Sequence, residues 1–286
     1  MKPSAPLTIT ITNHLRLTGF SGELAAHLKE KLTFLNPKWI ENERMGRWNR
    51  STPRVLHFYR AYGKKSLRIP RGYTRQLIRY CCLHRIEYHL DDRRRTLSPV
   101  KYIFSGRLKP FQHTAVQKML NRDFGTLTAP TGSGKTVMAL YLIAQRRQPA
   151  LIVVHTKDLA RQWVDRISQF LSIEPAKIGL IGGGRNTIGK NITVALVQSL
   201  YKQAGSVAKR TGYLIVDECH RCPSRTFTAA VTAFDSKYMT GLSATPFRRD
   251  RLSQLIFWHL GDVHHQVDQK RLVRSGDVLT AKVIVR

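Results

Sequence analysis

The chain has 286 residues, 42% hydrophobic and 9% aromatic, enough for two domains with ordinary cores, which excludes a disordered or fibrous class. Lys and Arg number 48 against 18 acidic residues, a net charge of +30 with a pI near 10.7. Such an excess points to a polyanionic partner, because Lys and Arg contacts to phosphate release condensed counterions.

The excess is spread evenly: residues 1–107 hold 22 bases and 7 acids, and the remainder 26 and 11, so both parts can meet nucleic acid. The opening residues lack the apolar core of a signal peptide, and no apolar run approaches the ~18 residues of a membrane span. The four cysteines fall into two close pairs, Cys81-Cys82 and Cys219 with Cys222. That is no disulfide framework, and a reduced, cytoplasmic setting is expected, with no membrane partner. Cys219-His220-Arg221-Cys222 has zinc-ligand spacing but no second CxxC, so no structural zinc is expected.

In chain order, Leu7-Thr8-Ile9-Thr10-Ile11-Thr12 alternates apolar and polar residues, the mark of a half-buried strand. Leu24, Leu28 and Leu32, four apart, indicate an amphipathic helix over 21–32. Pro37, Gly46 and Pro53 break up an irregular segment. Within it Arg44, Arg47 and Trp48 either interleave bases with an aromatic, as a nucleic-acid surface does, or form a solvated rim around core tryptophans Trp39 and Trp48. Residues 55–59 and 66–69 read as a hairpin across Gly63-Lys64-Lys65, and Thr74 as the cap of a helix through Leu77, Ile78, Cys81 and Cys82. Asp91-Asp92-Arg93-Arg94-Arg95 before Ser98-Pro99 reads as a polar connector. It divides the chain into 1–95, a small basic α+β DNA-binding domain, and 96–286, a nucleotide-binding domain.

From Phe104 strands and helices alternate. Apolar strands are expected at 125–127, 151–154, 192–197, 213–216 and 238–242, and helices at 137–144, 158–171, 198–204 and 225–234. Near-continuous Val, Ile and Leu strands between helices indicate an α/β fold, a parallel sheet covered on both faces, which binds ligands at the carboxyl ends of its strands.

Ala129-Pro130-Thr131-Gly132-Ser133-Gly134-Lys135-Thr136 joins the first of these strands to its helix. Glycines at 132 and 134 let successive N–H groups curl around a phosphate, and the helix that follows aims its positive end at the same anion. Lys135 would reach the β- and γ-phosphates of a nucleotide, and the Thr136 hydroxyl would ligate Mg²⁺. Leu214-Ile215-Val216-Asp217-Glu218 ends a second strand in two carboxylates: Asp217 for Mg²⁺, Glu218 to orient or deprotonate the attacking water. His113, His155 and His264-His265 show no ligand or triad spacing.

These stretches, with Ser243-Ala244-Thr245, resemble motifs I, II and III of superfamily 2 helicases, Asp217-Glu218-Cys219-His220 being a variant of D-E-A-H. The resemblance covers roughly residues 104–286 and implies a RecA-like domain that binds ATP and Mg²⁺. Lys135, Asp217, Glu218 and His220 would then be catalytic and Ser243, Ala244 and Thr245 coupling residues. Leu108-Lys109-Pro110-Phe111-Gln112 resembles the adenine-recognising element, with Gln112 reading the base. Val153-Val154-His155-Thr156-Lys157-Asp158-Leu159 through Gln162-Trp163 resembles motif Ia, and Gly183 with Gly184 and Gln198 with Ser199 the later strand-tracking elements, which in the family contact nucleic-acid phosphates. Thr245-Pro246-Phe247-Arg248 and the Gly182-Gly183-Gly184 segment resemble the XPB, RadD and UvsW branch, which works on duplex or branched DNA more than on RNA. The stretch from Phe34 to Gly72 resembles the damage-recognition-like domain of some members.

Family members carry a second RecA-like domain with an arginine finger, and Arg271-Leu272-Val273-Arg274-Ser275-Gly276-Asp277-Val278-Leu279 resembles the segment that closes the first. The expectation is the N-terminal part of an ATP-dependent DNA helicase or translocase, weak alone, with its second domain in cis beyond Arg286 or in trans. Two alternatives are a nucleotide-responsive DNA-binding module and the motor subunit of a restriction or defence complex.

Overall fold

The computed structural model describes residues 6–63, 65–221, 225–245, 253–274 and 276. Cys222, Pro246-Phe247-Arg248 and Asp277-Val278-Leu279 lie outside them. The N-terminal elements are β1 (Leu7–Ile11), β2 (His14–Thr18), α1 (Gly22–Lys31), β3 (Thr33–Leu35), α2 (Pro37–Arg44), β4 (Val55–His57), β5 (Arg60–Tyr62), β6 (Ser66–Pro70), α3 (Thr74–Leu83) and β7 (Tyr88–Asp92). Five of the strands form one sheet in the order β5-β6-β2-β1-β7, antiparallel except for β1 with β7. Because side chains alternate along a strand, Ile9, Leu15, Leu17, Leu67 and Ile69 all face one side. There they bury against Leu24 and Leu28 of α1 and Leu77 and Cys81 of α3. Ser21 caps α1, its Oγ accepting the Leu24 N–H at 3.1 Å.

Four local expectations are corrected. The segment after Pro37 is helical: Pro37 starts α2, and Asn36 Oδ1 accepts the Lys38 N–H at 3.1 Å. Proline is tolerated at a first helical position because the N–H it lacks would have no intrahelical partner there. The hairpin is formed by β5 and β6, whereas β4 pairs with β3, where Phe34 and Phe58 stack at 5.2 Å beside Trp258. Thr74 is no side-chain cap; its Oγ1 donates to the Arg71 carbonyl at 2.6 Å inside the short turn that leads into α3. Asp91 and Asp92 close β7 instead of opening a linker. Of the two tryptophans, Trp48 is 85% exposed, while Trp39 is half-buried beneath the Arg54 guanidinium.

The remaining elements are α4 (Pro110–Leu120), β8 (Phe124–Thr128), α5 (Lys135–Arg146), β9 (Ala150–Val154), α6 (Lys157–Leu171), β10 (Gly179–Gly182), β11 (Arg185–Asn186), β12 (Ile192–Leu196), α7 (Val197–Leu200), α8 (Ala204–Ala208), β13 (Tyr213–Val216), α9 (Arg225–Val231), β14 (Tyr238–Ser243), α10 (Ser253–Leu260), β15 (Val263–Gln266) and α11 (Gln269–Arg274). Their strands make one sheet in the order β11-β10-β12-β9-β13-β14-β8-β15, parallel except for the two-residue edge strand β11. β9 and β13 are buried at every residue, as strands covered on both faces must be. The α4, α5 and α6 side chains fill one face and those of α7 to α10 the other. The α/β class read from the sequence is the class observed, although the helix expected over 198–204 is split into α7 and α8.

The two sheets share a packed junction. Trp258 and Leu255 of α10 belong to the N-terminal core, and a Cβ on Gly72 would stand 2.0 Å from the Phe257 carbonyl oxygen, so only glycine lets the chain pass there. Arg71 is buried between the sheets: its guanidinium donates to the carbonyls of Ser236 at 2.8 Å and Thr12 at 3.3 Å and lies over the Phe124 ring. Arg95 holds both carboxylate oxygens of Asp235 at 2.9 Å, and Arg94 bridges Asp92 and Asp123 at 2.7 Å each.

Two histidines at this junction are pushed down to about 4, His259 by burial and His14 by burial and then by Arg68 and Arg16. Between pH 6.5 and 4 the unfolded chain therefore binds protons that the folded chain refuses, so stability falls as the pH falls through that window. From pH 7 to pH 5 the expected loss is about 2 kcal/mol for His259 and less for the more exposed His14. Thermal melts at the two pH values measure it, and His259→Gln should flatten the response; an equal response in the variant would refute the assignment.

Candidate active site

The carboxyl ends of β8, β14 and β13 lie side by side. β8 runs out at Thr128, and the chain turns through residues 129–134 before α5 begins at Lys135. Gly132 and Gly134 have φ of 80° and 82°, the left-handed region that glycine enters without cost. A Cβ at Gly134 would also come within 2.4 Å of Gln112 Nε2. The loop is braced from within: Ser133 Oγ donates to the Pro130 carbonyl at 2.6 Å, and Lys135 Nζ to those of Ala129 at 3.0 Å and Pro130 at 3.3 Å. Burial lowers the Lys135 pKa, and the carboxylates of Glu218 and Asp217 push back the other way. Thr136 follows in the first turn of α5, where helix N–H groups have no intrahelical acceptor.

Gln112 ties the loop to α4. Its Oε1 accepts the Lys109 N–H at 2.9 Å and its Nε2 donates to the Ser133 carbonyl at 2.8 Å. An amide has two N–H bonds and two lone pairs on oxygen, so one of each is still on offer.

Asp217 follows β13 directly. Its Oδ2 accepts the buried Trp163 indole N–H at 2.8 Å and its Oδ1 the Glu218 N–H at 2.9 Å. Glu218 has φ of 47°, a strained conformation for a non-glycine residue and one that concentrates at functional sites. That turn sends its carboxylate to His220 Nδ1 at 3.1 Å. His220 Nδ1 also lies 3.1 Å from Ser243 Oγ, which donates to the Thr245 carbonyl at 2.7 Å and accepts the Thr245 N–H. The Ser243 carbonyl in turn accepts the Ala129 N–H at 2.9 Å. The glycine loop, the acidic pair and Ser243-Ala244-Thr245 are thus one hydrogen-bonded group, beside a cleft of about 670 Å³ that Lys135, Thr136, Trp163, Asp217 and Glu218 help to line.

The nucleic-acid candidates fall elsewhere on the same edge. His155, Thr156 and Lys157 follow β9; Gly183 and Gly184 follow β10 with positive φ; Gln198 and Ser199 lie in α7 just past β12. Lys157, Arg161, Gly183 and Arg185 line a second cleft of about 330 Å³ there. Arg44, Arg47 and Trp48 are on the N-terminal unit, away from this edge in the chain order, at the end of α2 and beyond it. Trp163 falls in the stretch that resembles motif Ia, but its contact with Asp217 escapes sequence reasoning. Ala160, Trp163, Ile167 and Leu171 recur at helical spacing on the buried face of α6, so the tryptophan reads as core. Its indole N–H is the sole hint of another task, since such a group needs a partner when buried.

Residues 105–248 match the family described as type III restriction enzyme, res subunit. The chain belongs to this family. Within the superfamily 2 helicases it carries a RecA-like unit of the XPB and UvsW branch. It is 38% identical over 148 residues to the DNA 3'-5' translocase XPB2 of Sulfurisphaera tokodaii, a match that takes in 52% of this chain and 33% of the relative. It is 31% identical over 187 residues to the putative DNA 3'-5' helicase Rad25 of Haloarcula marismortui, with 63% and 29% covered. The chain thus spans about a third of the length of these relatives. The crystal structure of the UvsW helicase from bacteriophage T4 shares its fold, with a TM-score of 0.69 at 19% identity over 91% of this chain and 99% of that one. That coverage takes in residues of both sheets. Among the described residues no helix is long and apolar enough to cross a membrane.

Proposed function

We propose that this chain is the ATP-binding part of a DNA-dependent motor, hydrolysing ATP to translocate along or unwind DNA, with residues 96–286 as the first RecA-like domain and 1–95 as a DNA-binding domain. One observation carries the reading: a glycine loop, an acidic pair and a serine from three adjacent strand ends are joined by hydrogen bonds around one cleft. The DNA 3'-5' activities in the names of the archaeal relatives support DNA as the track.

The loop amides and Lys135 bind the nucleotide phosphates, and Lys135 neutralises charge that builds during transfer. Gln112 offers its remaining N–H and lone pair to the adenine edge while holding the loop to α4. Glu218 orients the attacking water and accepts its proton, with His220 fixing that carboxylate. The residues suit a magnesium ion: Mg²⁺ usually takes one or two protein ligands and completes its shell with water and substrate phosphates. Thr136 and the nearly buried Asp217, already aimed by an indole, offer that set. Bound there, the ion would neutralise phosphate charge. Ser243-Ala244-Thr245 carries changes at the γ-phosphate towards the DNA surface at His155–Lys157, Gly183, Gly184, Gln198 and Ser199. A second RecA-like domain, in cis or in trans, supplies the arginine finger.

The test is ATP hydrolysis by the full-length protein with and without DNA; turnover that DNA leaves unchanged would refute the motor. Within it, Trp163→Phe keeps the core aromatic but strips Asp217 of its indole hydrogen bond. Loss of an outer partner of a metal ligand typically costs 10–100-fold, so a fall of roughly tenfold in turnover, with a raised Mg²⁺ requirement, is expected. An unchanged Mg²⁺ dependence would reduce Trp163 to core packing.

A further inference from the structure

The arginines of the N-terminal sheet stand in a row. β5 pairs with β6 so that Arg60 faces Arg68, and β6 pairs with β2 so that Arg68 faces Arg16. Residues opposite each other on neighbouring strands share a face, here the one turned away from Leu15, Leu67 and Ile69. Like charges placed directly opposite destabilise a sheet, and here three follow one another. Among the described residues none of the three has a carboxylate partner. Arg16 Nε donates to Ser66 Oγ at 3.2 Å, and Arg60 lies over the exposed Tyr62 ring, 5.3 Å from its centroid. The row continues through Thr10 to Asp91, but Arg93 holds that carboxylate at 2.7 Å.

At its Arg60–Arg68 end the row meets a cleft of about 210 Å³ between the two sheets. His14, His57, Thr232 and His259 share in lining it, and among the described residues no Asp or Glu does. Among the described residues His259 Nε2, sealed from solvent there, has no hydrogen-bond partner. The field of Arg68 and Arg16 also helps to keep His14 neutral, as it would where no anion offsets them.

We propose that Arg16, Arg68 and Arg60 form a phosphate track for one strand of nucleic acid, running across the N-terminal sheet into the cleft beside the motor unit. Neighbouring strands lie about 4.8 Å apart, so the row spans about 10 Å. Successive phosphates of one strand stand farther apart than the axial rise of about 3.4 Å in a duplex, so a row this long meets roughly two or three phosphates. A single small anion reaches only part of it. The uncompensated charge is what makes the track: the ligand, not a neighbouring side chain, supplies the counter-charge. Tyr62 flanks it as a surface on which a base can stack. The identity of the polyanion rests on the proposed motor function; the row and the cleft do not.

The test is the salt dependence of binding of a labelled single-stranded oligonucleotide to the full chain, without nucleotide. Each phosphate contact contributes about 0.7 to the slope of log affinity against log salt, so replacing all three arginines by Gln should lower the slope by about 2. The three Lys replacements should restore most of it. Arg60 is exposed on an edge strand, so Arg60→Gln alone, expected to lower the slope by about 0.7, serves if the triple variant folds poorly. An unchanged slope in a variant with the wild-type melting temperature overturns the track. So does displacement of the oligonucleotide by inorganic pyrophosphate at equal phosphate concentration, which would mark a small-anion site. If DNA still stimulates ATP hydrolysis while the slope is unmoved, the track alone fails; if wild type binds no oligonucleotide, the motor reading fails with it.

Discussion

Lys135→Ala and Glu218→Gln are each expected to abolish DNA-stimulated ATP hydrolysis in the full-length protein, and by different routes. Lys135 is partly buried with its Nζ beside the loop carbonyls and within the field of Asp217 and Glu218. Removing it takes a positive charge from where phosphate charge must settle and leaves two carboxylates facing the same anion. A single preorganised donor of this kind is worth about 10²–10³ in rate, and nucleotide affinity should fall as well. Glu218→Gln keeps shape and polarity but cannot accept a proton, which removes the roughly 10²–10⁴ attributed to a general base while nucleotide binding survives. Steady-state turnover together with equilibrium nucleotide binding separates the two. Turnover within a few-fold of wild type in both variants would show that this cleft is not the hydrolytic site.

Arg71→Leu is expected to produce the largest loss of stability. The guanidinium is 2% exposed, held down to about 9 chiefly by burial, and it is committed to two backbone carbonyls and the Met239 sulfur. Leucine satisfies none of these, and carbonyls left buried without a donor cost about 1–3 kcal/mol each. A loss of about 3 kcal/mol, or roughly 6–12 °C in melting midpoint, follows for a chain of this size. Because Arg71 joins the sheets, the N-terminal unit should also become more open to limited proteolysis. A midpoint within 2 °C of wild type would mean that the aromatic contacts around Trp258 carry the junction without it.

The large sheet was legible because strands buried on both faces are apolar throughout: 150–154 and 213–216 announce themselves, and the glycine loop between strand and helix fixes the sheet's carboxyl edge. The N-terminal sheet was half legible. β1 alternates cleanly, and β2 (His14–Thr18) does so too, its Leu15 and Leu17 inward, a signal that went unread; β7 (Tyr88–Asp92) exposes Leu90 and ends in two carboxylates, so it does not read as a strand. Pro37 read as a breaker because position within a helix, not residue type, decides what proline does. The partner of β4 was set by an aromatic cluster whose third member, Trp258, lies two hundred residues along the chain, beyond any local pattern. At the site, residue types singled out the glycine loop and the acidic pair, which the fold brings to adjacent strand ends. They could not foretell that one histidine, His220, touches both Glu218 and Ser243, or that Trp163 aims Asp217.

Arg71 and Arg95 grip the chain just before β14, at Ser236 and Asp235, and the far end of that strand is Ser243, in contact with His220. An extended strand does not fold back on itself, so the small sheet is bolted to the same beam that carries the neighbour of His220. Residues 93–123 are then no hinge, and the small sheet rides on the large one as part of one chassis. Under the proposed motor function, a power stroke would be delivered across the carboxyl edge of the large sheet, against the domain that docks there. A nucleic-acid strand held on the small sheet would be hauled by that stroke as cargo, without having to slip past the part that holds it.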